Sequence, residues 1–241
     1  MDEFVALISH ELRTPLTSII GYLELVLEDD DALTDHHRRF LGVVERNARR
    51  LLRLVGDLLF VAHVEAGRLA LEVGEVDLRT LTTEAVEAAR PRAEAKELVL
   101  EAAAQAMPRI AGDRDRLAQV LDNLVSNAVK FTPQGGTVTV RLVARDGEAL
   151  VEVRDTGVGI PAAEQNRLFE RFYRASTATD RAIPGVGLGL TIAKAIVEAH
   201  EGTLDFDSIE GAGTTFRVRL PLRPPPTGSG PAERLRGGVS L

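Results

Sequence analysis

The stretch FVALISHELRTPLTSI, residues 4–19, places a histidine beside a glutamate in a helical pattern and follows them with a proline. Apolar residues recur at steps of three and four, which predicts a helix over residues 2–28. A proline inside a helix removes a backbone hydrogen bond and costs about 3 kcal/mol. The pattern therefore predicts a helix that is bent and loosened at Pro15, close to His10.

His10 lies two residues from both Ile8 and Leu12, so it points away from the apolar stripe and toward solvent. The neighbouring Glu11 can orient the imidazole and accept its proton, which leaves the other ring nitrogen nucleophilic. Thr14 follows one turn later on the same face. A zinc-protease pattern would need a second histidine at that position, so a metal site of this type is excluded. A simple kink at an exposed histidine is the alternative interpretation.

A second helix is predicted over residues 35–66, after a polar loop at 28–35. Its apolar residues step alternately by four and three, as in a heptad seam with one polar interruption. The seam consists of Phe40, Val44, Asn47, Leu51, Leu54, Leu58 and Val61. One helical hairpin buries such a stripe poorly, whereas two hairpins together make a four-helix bundle. We therefore expect a homodimer.

The bulk composition limits the classes of protein to which the chain can belong. The chain has 241 residues, 44% of them hydrophobic and 27% charged, with a net charge of −7. The negative charge argues against a general nucleic-acid binder. There are no cysteines, which excludes disulfides and thiolate chemistry. No apolar run approaches the roughly 18 residues that span a bilayer.

After residue 66 the pattern changes to mixed helix and strand signals. Helices are predicted at 78–90, 114–130 and 191–200, and strands at 137–144, 149–155 and 214–222. We expect domains at 1–66 and 77–222, a linker at 67–76, and a disordered tail at 223–241, which is rich in proline and glycine. Besides His10, the histidines are interpreted as surface or loop residues: His36, His37, His63 and His200.

The segment LDNLVSNAVKFTPQGG, residues 121–136, carries polar side chains on one helical face. Asn123, Asn127 and Lys130 recur at i, i+4 and i+7. Amide oxygens suit Mg²⁺, and a lysine suits phosphate charge. A plain amphipathic helix with solvated polar residues explains the same spacing equally well.

Two glycine-rich stretches follow. In RDTGVGI, residues 154–160, Asp155 ends a predicted strand and can accept a hydrogen bond from an exocyclic amine, while Gly157 and Gly159 permit close approach to a base. A common D-T-G turn is the alternative. GVGLGL, residues 185–190, opens a helix whose N–H groups can bind phosphate, although its spacing is neither the Rossmann fingerprint nor a P-loop. The polar segment 161–184 between them is interpreted as a flexible lid.

Two further stretches complete the set. LFERFYRA, residues 168–175, presents Phe169 and Phe172, which either cover a ligand or belong to an ordinary core. GAGTTF, residues 211–216, contains Thr214 just before the last predicted strand.

SHELRTPLTSI resembles the H-box of sensor histidine kinases of two-component signalling. The later stretches are similar, in the same order, to that family's N, G1, F and G2 boxes and to its closing G-x-G-T-x-F element. The resemblance covers residue 2 to about residue 222. It implies an α-helical hairpin, which forms a four-helix bundle on dimerisation, followed by an α+β sandwich of the histidine-kinase/Hsp90-like ATPase type.

The resemblance also implies roles. His10 would be the phosphoacceptor, Glu11 its base, and Thr14 would position water for the reverse reaction. Asn127 would be the main Mg²⁺ ligand, Asn123 and Lys130 would contact phosphates, and Asp155 would recognise adenine. The implied nucleotide-binding residues are Asn123, Asn127, Lys130, Asp155, Gly157, Gly159, Phe169, Phe172, Gly185, Gly187, Gly189, Leu190 and Thr214.

The implied cofactors are ATP and Mg²⁺, and the implied partners are a response-regulator receiver domain and a second copy of the chain, with no nucleic acid. Contact with a membrane would come only through a sensor region absent from this sequence. We therefore expect the cytoplasmic portion of a longer, membrane-associated bacterial kinase.

Two other functions remain open at this point. An ATPase clamp like those of Hsp90, MutL and gyrase would hydrolyse ATP without labelling a histidine. A non-catalytic dimer could hold nucleotide and sequester a regulator. A Ser/Thr kinase is disfavoured because the H-R-D and D-F-G elements are absent.

Overall fold

The computed structural model describes residues 16–24, 26, 34–66, 69–180, 183 and 186–223. The histidine motif at 4–15, the bend at Pro15, Gly185 and the tail from residue 224 lie outside the described residues. The chain divides into two compact units, with the boundary between Leu69 and Ala70.

The first unit contains two helices. Helix α1 is described over residues 16–24, and α2 spans Asp35–Glu65. Helix α2 begins where the Thr34 side chain accepts a hydrogen bond from the backbone N–H of His37, at 3.3 Å, which satisfies one of the free donors of the first turn. The two helices pack through Leu16, Ile20, Ala48 and Val55, with Leu52 at the edge of this cluster.

The predicted seam lies mostly outside this small core. The side chains of Phe40, Val44, Leu51 and Leu58 are exposed, at 58%, 47%, 50% and 47% of their surface. Asn47 is also exposed, and its amide donates to the carbonyl oxygen of Val43 at 3.0 Å. The two helices therefore bury one stripe of α2 and leave a second apolar stripe in solvent.

The second unit combines helices with a sheet. Its helices are α3 (Leu78–Ala95), α4 (Arg114–Phe131), α5 (Ser176–Asp180) and α6 (Gly189–Ala199), with a 3-10 helix at Ala162–Arg167. Its strands are β1 (Gly74–Val76), β2 (Val99–Ala104), β3 (Ile110–Gly112), β4 (Thr137–Arg145), β5 (Glu148–Asp155), β6 (Thr203–Ile209) and β7 (Gly213–Pro221).

Five of the strands form one sheet in the order β2-β4-β5-β7-β6. Strands β2 and β4 are parallel, and the other neighbours are antiparallel. Strands β1 and β3 form a separate antiparallel pair. Strand β5 lies between β4 and β7 in the middle of the sheet, which fixes the position of Asp155 at its end.

Helices α3, α4 and α6 pack on the sheet. Alternate residues of β5 and β7 are buried, as expected for strands with one covered face. The helices contribute apolar stripes that include Leu124, Val125 and Ile196, each at most 1% exposed. The predicted fold class, a helical region followed by an α/β sandwich, is confirmed. None of the helices that the structure describes is long and apolar enough to cross a membrane.

The structure departs from the predicted elements in several places. Helix α3 continues to Ala95, through Pro91, because Ala89 and Ala93 on either side are buried. The segment interpreted as a wholly flexible lid contains the 3-10 helix and α5.

The interpretation of His200 as a surface or loop residue is wrong. Its ring is half-buried at the end of α6. Nδ1 donates to the carbonyl oxygen of Ile196 at 2.7 Å, and Nε2 accepts from the backbone N–H of Asp113 at 2.9 Å. Burial lowers the pKa of His200, which favours this neutral form. His200 therefore ties the end of α6 to the start of α4, where Asp113 caps the helix.

Candidate nucleotide-binding site

Asp155 lies at the end of β5 and is only 6% exposed. Its Oδ1 accepts hydrogen bonds from the backbone N–H of Gly157 at 2.8 Å and of Thr214 at 3.2 Å. Burial raises the pKa of Asp155 from 3.8 to about 6, although these two hydrogen bonds act in the opposite direction. Among the described residues, no donor reaches Oδ2. The protein therefore holds the carboxyl group through one of its two oxygens.

The glycines around Asp155 are required by protein packing. A Cβ on Gly157 would lie 2.5 Å from Oδ1 of Asp155 and 2.7 Å from the carbonyl oxygen of Phe131. At Gly159, φ is +62° and a Cβ would lie 2.0 Å from the carbonyl oxygen of Ile209. These contacts explain both glycines without a base, so their contact with a nucleotide stays a prediction.

Helix α4 carries the predicted polar face. Asn123, Asn127 and Lys130 are all half-buried, on a helix whose apolar residues are buried. The amide of Asn123 donates to the carbonyl oxygen of Gly189 at 3.1 Å and so joins α4 to the first residue of α6. The Asn127 side chain has no hydrogen-bond partner among the residues that the structure describes. Its amide oxygen is free to serve as a metal ligand.

The start of α6 forms the second part of the site. Leu188, the residue before the helix, provides no side-chain cap, so the first N–H groups of α6 need another acceptor. Gly187 has φ +81°, and a Cβ there would lie 2.5 Å from the carbonyl oxygen of Tyr173. A helix N-terminus of this kind can accept phosphate oxygens, and Gly189 and Leu190 lie in its first turn.

The two aromatic residues differ in their surroundings. The Phe169 ring packs edge-on against Phe206 at 5.7 Å, and the Lys194 ammonium lies 4.9 Å from its centre. Phe172 is 59% exposed, with φ +59°, and its N–H donates to the carbonyl oxygen of Gly187 at 3.0 Å. Phe169 therefore packs against another aromatic ring, whereas Phe172 is exposed and belongs to no core.

Sequence reasoning missed Lys96, which is half-buried after α3. Its ammonium group donates to the carbonyl oxygens of Val129, Lys130 and Thr132 at 2.9, 3.1 and 2.5 Å. Lys96 therefore caps the C-terminal end of α4 and stabilises its dipole. Burial lowers the pKa of Lys96. No local pattern marks this lysine, because its partners lie more than thirty residues away.

Helix α4 connects the two parts of the site. At its C-terminal end, the carbonyl oxygen of Phe131 accepts a hydrogen bond from the N–H of Val158, at 3.2 Å. In its middle, Asn123 binds Gly189. The arrangement places a buried carboxylate, a row of amide and ammonium groups, and an uncapped helix N-terminus around one helix. This combination suits an adenine nucleotide, whose base needs acceptors and whose phosphates need donors.

Comparisons with known proteins agree with this description. The family model of the His Kinase A (phospho-acceptor) domain matches residues 1–67. The model of the histidine kinase-, DNA gyrase B-, and HSP90-like ATPase matches residues 112–224. The second unit is therefore an ATP-binding domain of this ATPase class.

Similar individual proteins indicate a narrower family within this broad ATPase class. The chain is 37% identical over 238 residues to the circadian input-output histidine kinase CikA of Thermosynechococcus vestitus, covering 97% of this chain and 33% of that protein. Full-length ShkA, solved in complex with AMPPNP, is 33% identical with a TM-score of 0.77, over 93% of this chain and 46% of that one. The mycobacterial sensor histidine kinase MprB is 34% identical with a TM-score of 0.54, over 62% of this chain and 97% of that one.

The chain belongs to the sensor histidine kinases and comprises their phospho-acceptor and ATPase domains. It spans about a third of the length of the curated relatives that it matches.

Proposed function

We propose that the chain transfers the γ-phosphoryl group of ATP to His10 and then to an aspartate of a response-regulator receiver domain. The observation that carries the proposal is Asp155, buried with one oxygen saturated and the other unpartnered, in a chain whose first 67 residues match the phospho-acceptor domain. An ATPase clamp would have no use for that domain and is not favoured. The similarity to ShkA, which was solved with the ATP analogue AMPPNP, supports ATP as the nucleotide.

The residues of the site fit ATP and Mg²⁺. Asp155 and Thr214 would bind the base, while Lys130 and the first turn of α6 would bind phosphates. Asn127 would ligate Mg²⁺ through its half-buried amide oxygen, and Asn123 would act beside it while holding Gly189. Mg²⁺, when bound, would neutralise phosphate charge.

In the transfer step, a ring nitrogen of His10 forms a bond to the γ-phosphorus, and the bond from that phosphorus to the bridging oxygen of ADP breaks. Glu11 takes the proton from the other ring nitrogen, so charge does not accumulate on the imidazole. The phosphohistidine then donates to the regulator's carboxylate. Thr14 would position water when the same face removes phosphate from that partner.

A single assay tests this function against its alternatives. The purified chain is incubated with γ-labelled ATP, and the label is tested for stability in acid and in base. Label that survives base and is lost in acid supports a histidine kinase. Free phosphate without labelled protein would indicate a clamp ATPase, and neither product would indicate a nucleotide-binding scaffold.

We also propose that the chain acts as a homodimer through the exposed stripe of α2. Phe40, Val44, Leu51 and Leu58 repeat at heptad spacing and are about half exposed in the single chain. A second copy would bury them as the other half of a four-helix bundle.

Leu51→Glu is expected to weaken this dimer at least about tenfold, because it places a carboxylate in the apolar interface of both copies. Sedimentation velocity over a concentration series measures the change. Arg53→Glu is the control, since it adds at least as much negative charge at an exposed position outside the seam. Equal dimer affinities in the two variants would contradict the proposed interface.

The raised pKa of Asp155 gives a second prediction. ATP affinity is expected to be constant above neutral pH and to fall as the pH drops through about 6, because protonation removes the acceptor charge. Asp155→Asn should abolish this pH dependence and weaken ATP binding. Titration calorimetry at several pH values measures both effects, and Asp146→Asn in the exposed β4–β5 turn is the control.

The same substitution should not destabilise the unliganded domain. The folded pKa of Asp155 exceeds its ordinary value, so its contribution to stability is present below pH 3.8 and is lost as the pH rises to about 6. At neutral pH, Asp155→Asn is therefore expected to raise the thermal midpoint while ATP binding falls. A lower midpoint together with weaker binding would indicate a structural role instead.

A further inference from the structure

Ser208, on β6, is half-buried and contacts Thr214, whose backbone N–H binds Asp155. Its hydroxyl oxygen accepts from the backbone N–H of Ile160 at 2.9 Å. It also lies 2.8 Å from the hydroxyl oxygen of Thr214 and 3.2 Å from the carbonyl oxygen of Gly213. Ser208 thus contacts the loop after β5 and the residue predicted to lie near the base.

The protons of these groups can be assigned from their chemistry. A carbonyl oxygen only accepts, so the single Ser208 proton satisfies Gly213 when it points there. The Ser208 oxygen then accepts from both Ile160 and the Thr214 hydroxyl, which uses its two lone pairs. In this arrangement all three contacts are hydrogen bonds, whereas donation from Ser208 to Thr214 would lose the one to Gly213. The Thr214 proton is therefore directed at Ser208.

A hydroxyl whose proton is held in this way presents only acceptor lone pairs to a ligand. Asp155 behaves alike, because its Oδ1 is occupied by the N–H groups of Gly157 and Thr214 and its Oδ2 has no donor among the described residues. The backbone N–H of Thr214 binds Asp155, so the two acceptors belong to one cluster. A purine whose position 6 contacts these acceptors is favoured when it carries an amino group, which has N–H donors, and disfavoured when it carries a carbonyl oxygen.

We propose that Ser208 is a positioning residue that fixes the Thr214 hydroxyl as an acceptor and thereby selects a 6-amino purine over a 6-oxo purine. This inference rests on the proposed nucleotide site and adds the source of its base selectivity. Without the Ser208 oxygen, the Thr214 hydroxyl can rotate and donate, so it no longer rejects a 6-oxo group.

The test compares ATP with ITP, which carries oxygen at position 6 and the same ribose and phosphates. Dissociation constants of both are measured by calorimetry with Mg²⁺ present. Ser208→Ala is expected to lower the preference for ATP over ITP about tenfold. ATP binding should become weaker, while ITP binding should stay unchanged or become tighter. Ser208→Thr keeps a hydroxyl and should retain the preference. Thr83→Ala, which removes a hydroxyl bonded to a backbone carbonyl of α3, is the matched control.

If the role of Ser208 is purely structural, Ser208→Ala should weaken the binding of ATP and of ITP equally. An unchanged ratio of the two affinities in this variant would overturn the inference. If that variant does not fold, Thr214→Val removes the same acceptor and should produce the same fall in the ratio; an unchanged ratio there overturns it as well. When Ser208→Ala and Thr214→Val are combined, the ratio of ATP affinity to ITP affinity should fall no further than in either single variant. Both substitutions disrupt the same interaction, the hydrogen bond between these two hydroxyl groups. Failure of the unaltered chain to bind ATP would instead refute the proposed function.

Discussion

His10→Gln is expected to abolish phosphate incorporation from γ-labelled ATP and to leave the affinity for ATP unchanged. Glutamine keeps polar atoms of similar reach, but its amide nitrogen lone pair is delocalised and is not nucleophilic. The residues that we propose for the ATP site lie beyond Ala70, in the other compact unit, so the substitution is expected to remove the acceptor and leave nucleotide binding intact. The expected loss is complete within detection, because no second group replaces the attacking nitrogen.

Two measurements on the same preparation check this. Labelled protein is quantified after acid and after base treatment, and the dissociation constant for a fluorescent ATP analogue is obtained from the unlabelled protein. His63→Gln is the matched control, since His63 is an exposed histidine in the last turn of α2. Acid-labile label on the His10→Gln protein would show that another histidine is the phosphoacceptor.

The sequence predicted those elements whose periodicity is strong. Helix α4 and strands β4 and β5 begin and end within one residue of the predicted bounds, because burial on one face imposes the 3.6 and 2.0 repeats. Strand β2 was not predicted. Its sequence VLEAAA lacks β-branched residues after Val99, and it becomes a strand through parallel pairing with β4. Such pairing depends on tertiary contacts, which no local pattern contains.

The end of α3, near Pro91, shows the opposite case, in which a strong local signal was misleading. A proline is an ordinary signal for a helix end, and the prediction stopped at residue 90. The structure continues α3 because Ala89 and Ala93 are buried, at 7% and 1% exposure, so packing on both sides outweighs one lost hydrogen bond. Local propensity is a weak guide wherever a helix is held by its apolar face.

At the candidate site, sequence motifs indicated residues that would meet the ligand, and the structure added those that hold them. Asp155 and Thr214 stand in glycine-rich stretches that can be recognised from the sequence, and they are joined by a hydrogen bond. Ser208 and Lys96 stand in no such pattern. Lys96 contacts residues 33 to 36 positions away, and Ser208 contacts Ile160, 48 positions away. Supporting residues of this kind become visible only when the fold brings distant segments together.

The Asn127 side chain on α4 is the predicted Mg²⁺ ligand. It is half-buried and has no hydrogen-bond partner among the described residues, whereas Asn123 is engaged with Gly189. A partly solvent-accessible amide without a protein partner can ligate a metal without breaking a hydrogen bond of the protein. In the described part of the chain, no group of three or more histidine, aspartate or glutamate side chains could hold a metal ion instead. Asn127 therefore remains the residue that we propose as the Mg²⁺ ligand.

Asn127→Ala is accordingly expected to abolish the part of ATP affinity that depends on Mg²⁺ and, with it, autophosphorylation. Calorimetric titration with ATP in Mg²⁺ and in EDTA measures the difference, which should vanish in the variant while the domain keeps its thermal midpoint. Asn166→Ala, at an exposed position in the 3-10 helix, should retain the full difference. An unchanged response to Mg²⁺ in Asn127→Ala would contradict its role as ligand.

Asn123→Ala should differ from both Asn127→Ala and Asn166→Ala, because it removes the hydrogen bond that joins α4 to Gly189. We expect it to lower the thermal midpoint together with the ATP affinity, whether or not Mg²⁺ is present.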